Sequence, residues 1–231
     1  MRVGVFGGVF NPIHIGHLNT AQEVAYKVGL ARVYFVVTAR PPHKETADLL
    51  GFSDRYRMVE LATADNEIFR PSKIEMERPG PSYTIDTMRY FQGRFGHDVH
   101  FITGQDAMED IGSWKSAGAL LKTCNFIVTT RPGYDPSALE DLMQGVLSVR
   151  YKNLELTVLS KKENGSIEKL GVSGSGAVIR VVKVTQLDIS STDIRRRLRE
   201  GAPVKYLVPD SVERYLHEKR LFCGNSEVEN D

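Results

Sequence analysis

The sequence predicts an α/β fold, a Rossmann-like doubly wound parallel sheet with a small C-terminal helical lobe. Three observations at the start of the chain lead to this prediction. Residues 2–6 form a short apolar run that ends at two glycines, as a buried strand does. Apolar residues then recur at helical spacing over residues 16–28, and residues 33–37 are rich in β-branched and aromatic side chains. This order is a βαβ unit, which builds parallel sheets.

The same alternation of strands and helices continues along the chain, which favours a single doubly wound sheet. Periodicity predicts helices over residues 53–64, 84–95, 136–148, 191–199 and 209–219. Short apolar runs predict further strands over residues 73–77, 99–103, 126–130, 154–159 and 178–184.

Two segments fall outside this alternation. Residues 161–177 are rich in glycine, serine and charge, and we expect a flexible surface loop there. Residues 223–231 are polar and acidic, which predicts a disordered tail. The rest, residues 1–222, is expected to form one domain.

The composition excludes several classes of protein. Of the 231 residues, 41% are apolar and 26% are charged, as in an ordinary globular chain. A net charge of +1 argues against sequence-independent binding to nucleic acid or to acidic membranes. The chain shows neither the start of a signal peptide nor an apolar run long enough to cross a bilayer. We therefore expect a cytoplasmic protein that binds neither nucleic acid nor membrane.

The segment between the first strand and the first helix, residues 7–18, contains the most informative motif. Gly7 and Gly8 lack a Cβ atom and would let a ligand approach the backbone. His14 and His17 are three residues apart, so at a helix entrance their imidazoles can point the same way, towards a phosphate. The segment matches neither the Walker A loop nor the GxGxxG fingerprint. Without a glutamate in HExxH register or a nearby cysteine, we expect no metal site.

A second phosphate-binding pattern opens the helix near the C-terminus. Ser190 and Ser191 are good N-cap residues, and the free amides at a helix start attract anions. Arg195 lies one turn inside that helix, where its guanidinium could fork onto phosphate oxygens. An ordinary capped helix with a solvated basic face remains the alternative.

Further candidates follow other predicted strands. Lys44 lies after two prolines and offers a mobile cation. The turn Ser82–Thr84 leads into a helix whose first amides suit a carboxylate. Asp106 follows a buried strand, where carboxylates accept ribose hydroxyls. Trp114 is the chain's single tryptophan, and core packing is the alternative role for it.

Taken together, these motifs resemble the bacterial nicotinate-nucleotide adenylyltransferases, members of the HxGH nucleotidyltransferase superfamily. Residues 7–17 are similar to the GGxFDPxHxGH motif of that family, with Asn11 in place of its usual aspartate. Four further segments, 41–44, 78–87, 130–133 and 189–195, resemble its PPHK, RxGxSYTxDT, RPG and ISSTxIR elements, and Asp106 and Trp114 match its GxDxxxxxxxW spacing.

The resemblance implies transfer of the adenylyl group of ATP to nicotinate mononucleotide, giving deamido-NAD and pyrophosphate. It implies catalytic roles for His14, His17, Lys44 and Arg195. It implies an ATP site of Gly7, Gly8, Phe10, His17, Gly104, Asp106, Arg131, Ser190, Ser191 and Arg195, and an acceptor site of Asn11, Lys44, Ser82, Tyr83, Thr84 and Trp114.

The expected cofactor is Mg²⁺, held mainly by the phosphates of ATP rather than by a cage of protein carboxylates. The expected partners are ATP and nicotinate mononucleotide, in a monomer or a homo-oligomer. Two alternatives stay open. The acceptor could be nicotinamide mononucleotide or another phosphorylated compound, or the chain could be a nucleotide sensor without catalysis. Because the implied site draws on residues near both ends of the chain, we expect a single nucleotidyltransferase domain.

Overall fold

A computed structural model describes residues 1–41, 48–130, 154–161, 163, 165 and 167–223. The strands are β1 (Val3–Gly8), β2 (Arg32–Val37), β3 (Phe69–Ser72), β4 (Val99–Gly104), β5 (Asn125–Thr130), β6 (Leu156–Lys161), β7 (Ile167–Val172) and β8 (Val178–Lys183). The helices are α1 (Ile15–Val28), α2 (Phe52–Thr63), α3 (Ile74–Glu77), α4 (Thr84–Phe95), α5 (Gln105–Glu109), α6 (Ala117–Thr123), α7 (Ser191–Arg199) and α8 (Asp210–Glu218), with a 3₁₀ turn at Ile111–Ser113.

The eight strands form one sheet in the order β3-β2-β1-β4-β5-β8-β7-β6. The six strands from β3 to β8 in that order are parallel, and the last two add an antiparallel edge. From β1 the chain winds outward through β2 and β3, then returns to β4 and winds the other way. The direction therefore reverses between β1 and β4, which is where doubly wound sheets bind ligands. The predicted α/β doubly wound fold is confirmed.

The core has one hydrophobic cluster on each face of the sheet. On one face, α1, α2, α7 and α8 bury residues such as Val24, Met58, Ile194 and Leu216. On the other face, α4, α5 and α6 bury residues such as Phe91, Met108 and Leu120. The two C-terminal helices thus share a core with α1 and α2, which brings the start of α7 to the carboxyl edge of β1.

The strand predicted over residues 73–77 was wrong. The edge strand β3 lies earlier, and Ile74–Glu77 forms the short helix α3. The alternating sequence Lys-Ile-Glu-Met-Glu suits an edge strand, and four residues are too few for a helical period to show. Tertiary contacts decide the outcome, because the hydroxyl of Thr87 donates a 2.7 Å hydrogen bond to the buried carboxylate of Glu75.

The flexible loop predicted over residues 161–177 was also wrong for most of the residues described there. Ile167–Val172 forms β7, which pairs antiparallel with β6 and β8 and buries Ile167, Leu170 and Val172. Glycine and serine mark only the turn between β7 and β8, where Gly174 has a φ of 65°. The predicted helix over 136–148 and residues 224–231 of the predicted tail lie outside the described residues.

Candidate active site

A cleft of about 310 Å³ opens at the carboxyl ends of β1, β4 and β5, beside the reversal point of the sheet. Its lining comes from Phe6, His14, Gly16, His17, Thr20, Gly104, Gln105, Asp106, Thr129, Thr130, Val184, Gln186, Leu187 and Ile189. A larger groove of about 810 Å³ runs beside β8, but it contains none of the predicted site residues. The cleft is therefore the candidate site.

His14 and His17 form a stacked pair at the start of α1. His14 is the N-cap residue of the helix, and the two ring centroids are 3.7 Å apart with the planes 28° from parallel. The backbone amide of His14 donates a 3.3 Å hydrogen bond to Nδ1 of His17. Because Nδ1 of His17 accepts this bond, a neutral His17 has its proton on Nε2 and can donate from that atom.

Both imidazoles are uncharged near neutral pH. Burial lowers the pKa of His14 to about 4. Burial, together with the neighbouring His14, lowers the pKa of His17 well below its usual value. The free cleft thus presents neutral hydrogen-bond donors rather than cations, and an anion bound beside them would raise both pKa values.

The glycines of the motif make room for protein side chains. A Cβ atom on Gly16 would lie 3.1 Å from Nδ1 of His14, and one on Gly8 would lie 2.8 Å from the ring of Phe10. A Cβ atom on Gly7 would lie 3.2 Å from the ring of Phe101. Aromatic packing is thus one reason for glycine at both positions, and close approach of a ligand to Gly7 and Gly8 stays a prediction.

Phe10 packs behind the histidine pair. Its ring is 3% exposed and meets the ring of His17 edge-on, with centroids 5.1 Å apart. Phe6 lies at the same contact, 6.0 Å from Phe10 and 6.1 Å from His17. The two phenylalanines therefore hold the imidazole of His17 from behind, and of the two only Phe6 lines the cleft.

The start of α7 is fastened to the loop that follows β1. The hydroxyl of Ser190 caps α7 by accepting a hydrogen bond from the amide of Asp193. Ser191 Oγ donates to the carbonyl of Pro12 at 2.9 Å, and Arg195 Nη1 donates to the carbonyl of Asn11 at 2.9 Å. The two predicted phosphate-binding patterns, although far apart in sequence, are thus adjacent in the fold.

Two of the predicted acceptor residues bind backbone rather than facing the cleft. The buried amide of Asn11 donates to the carbonyl of Asp48 at 2.9 Å and accepts from the amide of Leu50 at 3.2 Å. The hydroxyl of Ser82 accepts hydrogen bonds from the amides of residues 39 and 40. Ser82 therefore holds the chain just after β2, and Asn11 holds it just before α2.

The other predicted acceptor residues lie on the α4–α6 side of the sheet. Tyr83 and Trp114 are partly buried against the core there, and the indole meets Phe101 edge-on at 5.9 Å. The ammonium of Lys115 lies 5.8 Å from the centre of the Tyr83 ring, and Thr84 begins α4. The 310 Å³ cleft is lined by neither ring. Lys44 and Arg131 lie outside the described residues.

Several cleft residues escaped the sequence analysis. Thr129 and Thr130 end β5, beside β4, and the rule that ligands sit at the carboxyl ends of strands could have found them. Thr20 repeats the spacing of His17 one helical turn later. Gln186 and Leu187 lie in an irregular segment after β8, and no pattern marked them.

Comparisons with known proteins agree with this architecture. The cytidylyltransferase-like family model matches residues 5–197. The chain is 42% identical to a probable nicotinate-nucleotide adenylyltransferase of Geotalea uraniireducens (strain Rf4), over 96% of the chain and 98% of that relative. It is 41% identical to the probable enzyme of the same name from Thermoanaerobacter sp. (strain X514), over 98% and 97%.

Solved structures show the same fold. One is the Plasmodium falciparum nicotinic acid mononucleotide adenylyltransferase complexed with NaAD, with a TM-score of 0.67, 16% identity, and coverage of 96% of this chain and 97% of that one. Another is a putative nicotinate-nucleotide adenylyltransferase from Vibrio parahaemolyticus, with a TM-score of 0.61, 15% identity and 96% coverage of both chains. With its HxGH cleft and its full-length relatives, the chain belongs to the cytidylyltransferase-like family and, within it, to the nicotinate-nucleotide adenylyltransferases.

Proposed function

We propose that this chain transfers the adenylyl group of ATP to nicotinate mononucleotide in the cleft between β1 and β4, forming deamido-NAD and pyrophosphate. The carrying observation is the neutral, stacked pair His14 and His17 at the start of α1, which offers donors and helix amides to a polyphosphate. The names of the full-length relatives support the same reaction.

The reaction needs no nucleophile from the protein. A phosphate oxygen of the acceptor attacks the α-phosphorus of ATP, the new P–O bond forms in line, and the bond to pyrophosphate breaks. Burial raises the pKa of the Cys124 thiol, so this residue is not a reactive thiolate. Holding two nucleotides in line accounts for roughly 7–11 kcal/mol of the barrier reduction that such enzymes need.

Charge stabilisation is the other task of the site. His17 donates from Nε2 to the phosphate that gains charge as pyrophosphate leaves, and the ring of His14 stacks against that of His17 at the start of the helix. Arg195 and Lys44 add positive charge to the same group. Ser190 and Ser191 place the α7 amides. Gly104 and Asp106 line the cleft, and together with Arg131 they are the residues that we propose for adenosine binding.

The acceptor binds on the side of α4. The first amides of this helix, which follow Ser82 and Tyr83, suit the carboxylate of the pyridine ring. Thr84 is the first residue of the helix, and Trp114 supplies an aromatic surface on the same side of the sheet. Asn11 contributes through the backbone of Asp48 and Leu50, which its side chain binds.

The cleft fits a Mg²⁺ ion that arrives with ATP. Asp106 is the single carboxylate in the described lining of the cleft, so phosphate oxygens and water would supply most ligands. Among the residues that the structure describes, no group of three or more His, Cys, Asp or Glu side chains could hold a metal ion. When bound, the ion neutralises the polyphosphate.

Product analysis tests this proposal. The protein is incubated with ATP, Mg²⁺ and nicotinate mononucleotide, and the products are identified by mass spectrometry beside a pyrophosphate assay. We expect deamido-NAD and pyrophosphate in equal amounts, and neither when the acceptor is omitted. Binding of ATP without release of pyrophosphate, for nicotinate and nicotinamide mononucleotides alike, would instead identify a nucleotide sensor.

In the described part of the chain, no helix combines the length and the apolar character that crossing a bilayer requires.

We propose that ATP and nicotinate mononucleotide bind in the cleft. One chain, as a monomer or within a homo-oligomer, supplies all residues of the site.

A further inference from the structure

Three polar side chains of α1 bind the backbone at the end of β8. Asn19, Glu23 and Lys27 are spaced four residues apart and therefore form one stripe along the helix. Glu23 Oε1 accepts a hydrogen bond from the amide of Thr185 at 2.8 Å, and Asn19 Nδ2 donates to the carbonyl of Thr185 at 3.2 Å. Lys27 Nζ donates to the carbonyl of Lys183 at 2.8 Å. The stripe thus joins two segments that are far apart in sequence.

The backbone that follows β8 no longer has a strand beside it. The ladder between β8 and β5 ends with the pair Lys183 and Thr130, and residues 184–189, the post-β8 segment, are irregular. Backbone amides and carbonyls outside a sheet need other hydrogen-bond partners. At Thr185 the side chains of α1 bind both groups, so the helix replaces the missing strand at this residue.

The post-β8 segment lines the candidate cleft. The four residues of this segment in the cleft lining surround Thr185 in sequence: Val184, Gln186, Leu187 and Ile189. A Cβ atom added to Gly16 would lie 3.8 Å from the carbonyl oxygen of Leu187, so the segment reaches the start of α1. The helix that carries His17 into the cleft therefore also holds this second part of its lining.

Glu23 does more than pair with Lys27 on the helix surface. The two side chains form an i,i+4 ion pair through Oε2, and exposed pairs of this kind contribute little to stability. Hydrogen bonds from Lys27 and Thr185 lower the pKa of Glu23 to about 2, so the carboxylate is ionised at neutral pH. An ionised acceptor binds a backbone amide more strongly than a neutral one. The bond from Oε1 to Thr185 is therefore the stronger reason for a glutamate here.

We propose that Glu23 is a positioning residue: by binding the amide of Thr185, it fixes the post-β8 segment beside the histidine pair and sets the affinity of the cleft for ATP. This inference rests on the proposed function, in which ATP occupies the cleft and the acceptor binds on the side of α4. Binding of the acceptor should therefore depend less on Glu23 than binding of ATP does.

The first test compares Glu23→Ala with Glu60→Ala in α2. Glu60 also pairs with a basic residue of its own helix, Arg57, at 3.2 Å, but of the two carboxylates only that of Glu23 accepts a described backbone hydrogen bond. For Glu23→Ala we expect KM for ATP to rise by about tenfold, as for one lost hydrogen bond to a charged group, and KM for nicotinate mononucleotide to change by less than about threefold. Glu60→Ala should match the wild type.

Two further variants separate the hydrogen bond from the charge. Glu23→Gln keeps an oxygen that can accept from Thr185 and loses the charge, so KM for ATP should stay within about threefold of the wild type. Asn19→Ala keeps the carboxylate and removes the donor to the carbonyl of Thr185, which should raise KM for ATP by about fivefold. Asn19→Ala also tests the post-β8 segment if Glu23→Ala does not fold.

Four results would overturn the proposal. They are equal changes in both KM values of Glu23→Ala, a lower melting temperature of Glu23→Ala with unchanged kinetics, the same rise of KM for ATP in Glu23→Gln as in Glu23→Ala, and failure of both alanine variants to fold. The third result would assign the effect to the charge of Glu23 instead of its bond to Thr185.

Calorimetric titration with ATP, in the absence of the acceptor, separates this inference from the proposed function. The dissociation constant should rise by about tenfold in Glu23→Ala and stay unchanged in Glu60→Ala. If the wild type bound ATP but released no pyrophosphate when the acceptor was added, the proposed function would fail while the dissociation constants still tested Glu23. Equal dissociation constants for Glu23→Ala and an active wild type would reject the role of Glu23 alone.

Discussion

At the scale of single residues, the histidine pair concentrates the chemistry of the site in a few atoms. His17 receives a backbone hydrogen bond on Nδ1, its ring stacks on His14, and Phe10 packs on its edge. These contacts restrict the orientation of the His17 ring, so the N–H group at Nε2 is held in place before a ligand binds. Preorganised donors are a major source of transition-state stabilisation.

We therefore expect His17→Ala to lower kcat by about 10²–10³-fold, the usual cost of removing one such donor. The fold should persist, because the core clusters on both faces stay intact. Steady-state pyrophosphate release and circular dichroism measure the two effects. His217→Ala, an exposed histidine of α8, is the control and should keep full activity. Unchanged kcat in His17→Ala would exclude this residue from catalysis.

The lowered pKa of His14 makes stability depend on pH. Between about pH 6.5 and pH 4 the unfolded chain takes up a proton at this residue and the folded chain does not, so stability falls with falling pH. His14 alone should cost about 2 kcal/mol of unfolding free energy between pH 7 and pH 5.

Urea denaturation at these two pH values measures the loss. Because glutamine does not titrate, the free energy of unfolding of His14→Gln should fall between pH 7 and pH 5 by about 2 kcal/mol less than that of the wild type. Equal losses in the wild type and the variant would mean that His14 is not buried as a neutral group.

The sequence could identify these residues but not all of their roles. The spacing of His14 and His17 predicted two residues that line the candidate cleft, and the resemblance implied the reaction. Asn11 and Ser82 were expected in the acceptor site, and the sequence did not show that their side chains also bind backbone. The hydrogen bonds from the buried guanidinium of Arg55 to the carbonyls of Leu50, Val9 and Thr38 could not be predicted, because these carbonyls converge only in the folded chain.

At the scale of elements, Gly16 in the first turn of α1 leaves room for the ring of His14. Gly16→Ala would place a Cβ atom 3.1 Å from Nδ1 of His14, which pushes the ring by a few tenths of an ångström. Gly93→Ala in α4 is the matched control, because its Cβ atom would meet no atom within 4 Å.

Both substitutions favour the helix intrinsically, by up to about 1 kcal/mol. We expect Gly93→Ala to raise the melting temperature and keep activity, and Gly16→Ala to lower kcat/KM by about tenfold through the displaced imidazole. Thermal unfolding and steady-state kinetics on both variants provide the comparison. Full activity in Gly16→Ala would show that the position of the His14 ring does not matter.

Elements with a clear period were predictable and short ones were not. The predicted helices over 84–95 and 191–199 match α4 and α7 in full. The helices α5 and α6 were missed, since five and seven residues are too few to show a period. The strand β7 was not predicted, because the glycine-rich turn that follows it is typical of a loop. Hydrogen bonding to β6 and β8 stabilises this strand in the folded chain.

At the scale of the whole molecule, one sheet joins all described strands, and the start of α7 meets the loop after β1. This supports the prediction of a single domain, and unfolding tests it. The single tryptophan, Trp114, reports on the α4–α6 face by fluorescence, whereas far-UV circular dichroism reports on all elements.

The two urea transitions should coincide, and ATP should shift both equally. Separate midpoints would indicate two units that unfold independently. Composition and alternation sufficed to predict the fold class, but the meeting of residues 11–12 with α7 depends on packing across 179 and 184 positions of sequence.

The central claim is that this cleft adenylylates a pyridine nucleotide with a carboxylate on its ring. The most direct measurement is kcat/KM for nicotinate mononucleotide against nicotinamide mononucleotide, at saturating ATP and Mg²⁺. In the proposed function, the amides at the start of α4 receive the negatively charged ring substituent. We predict a preference of at least about a hundredfold for the nicotinate form. Equal values, or a preference for the amide, would contradict the account.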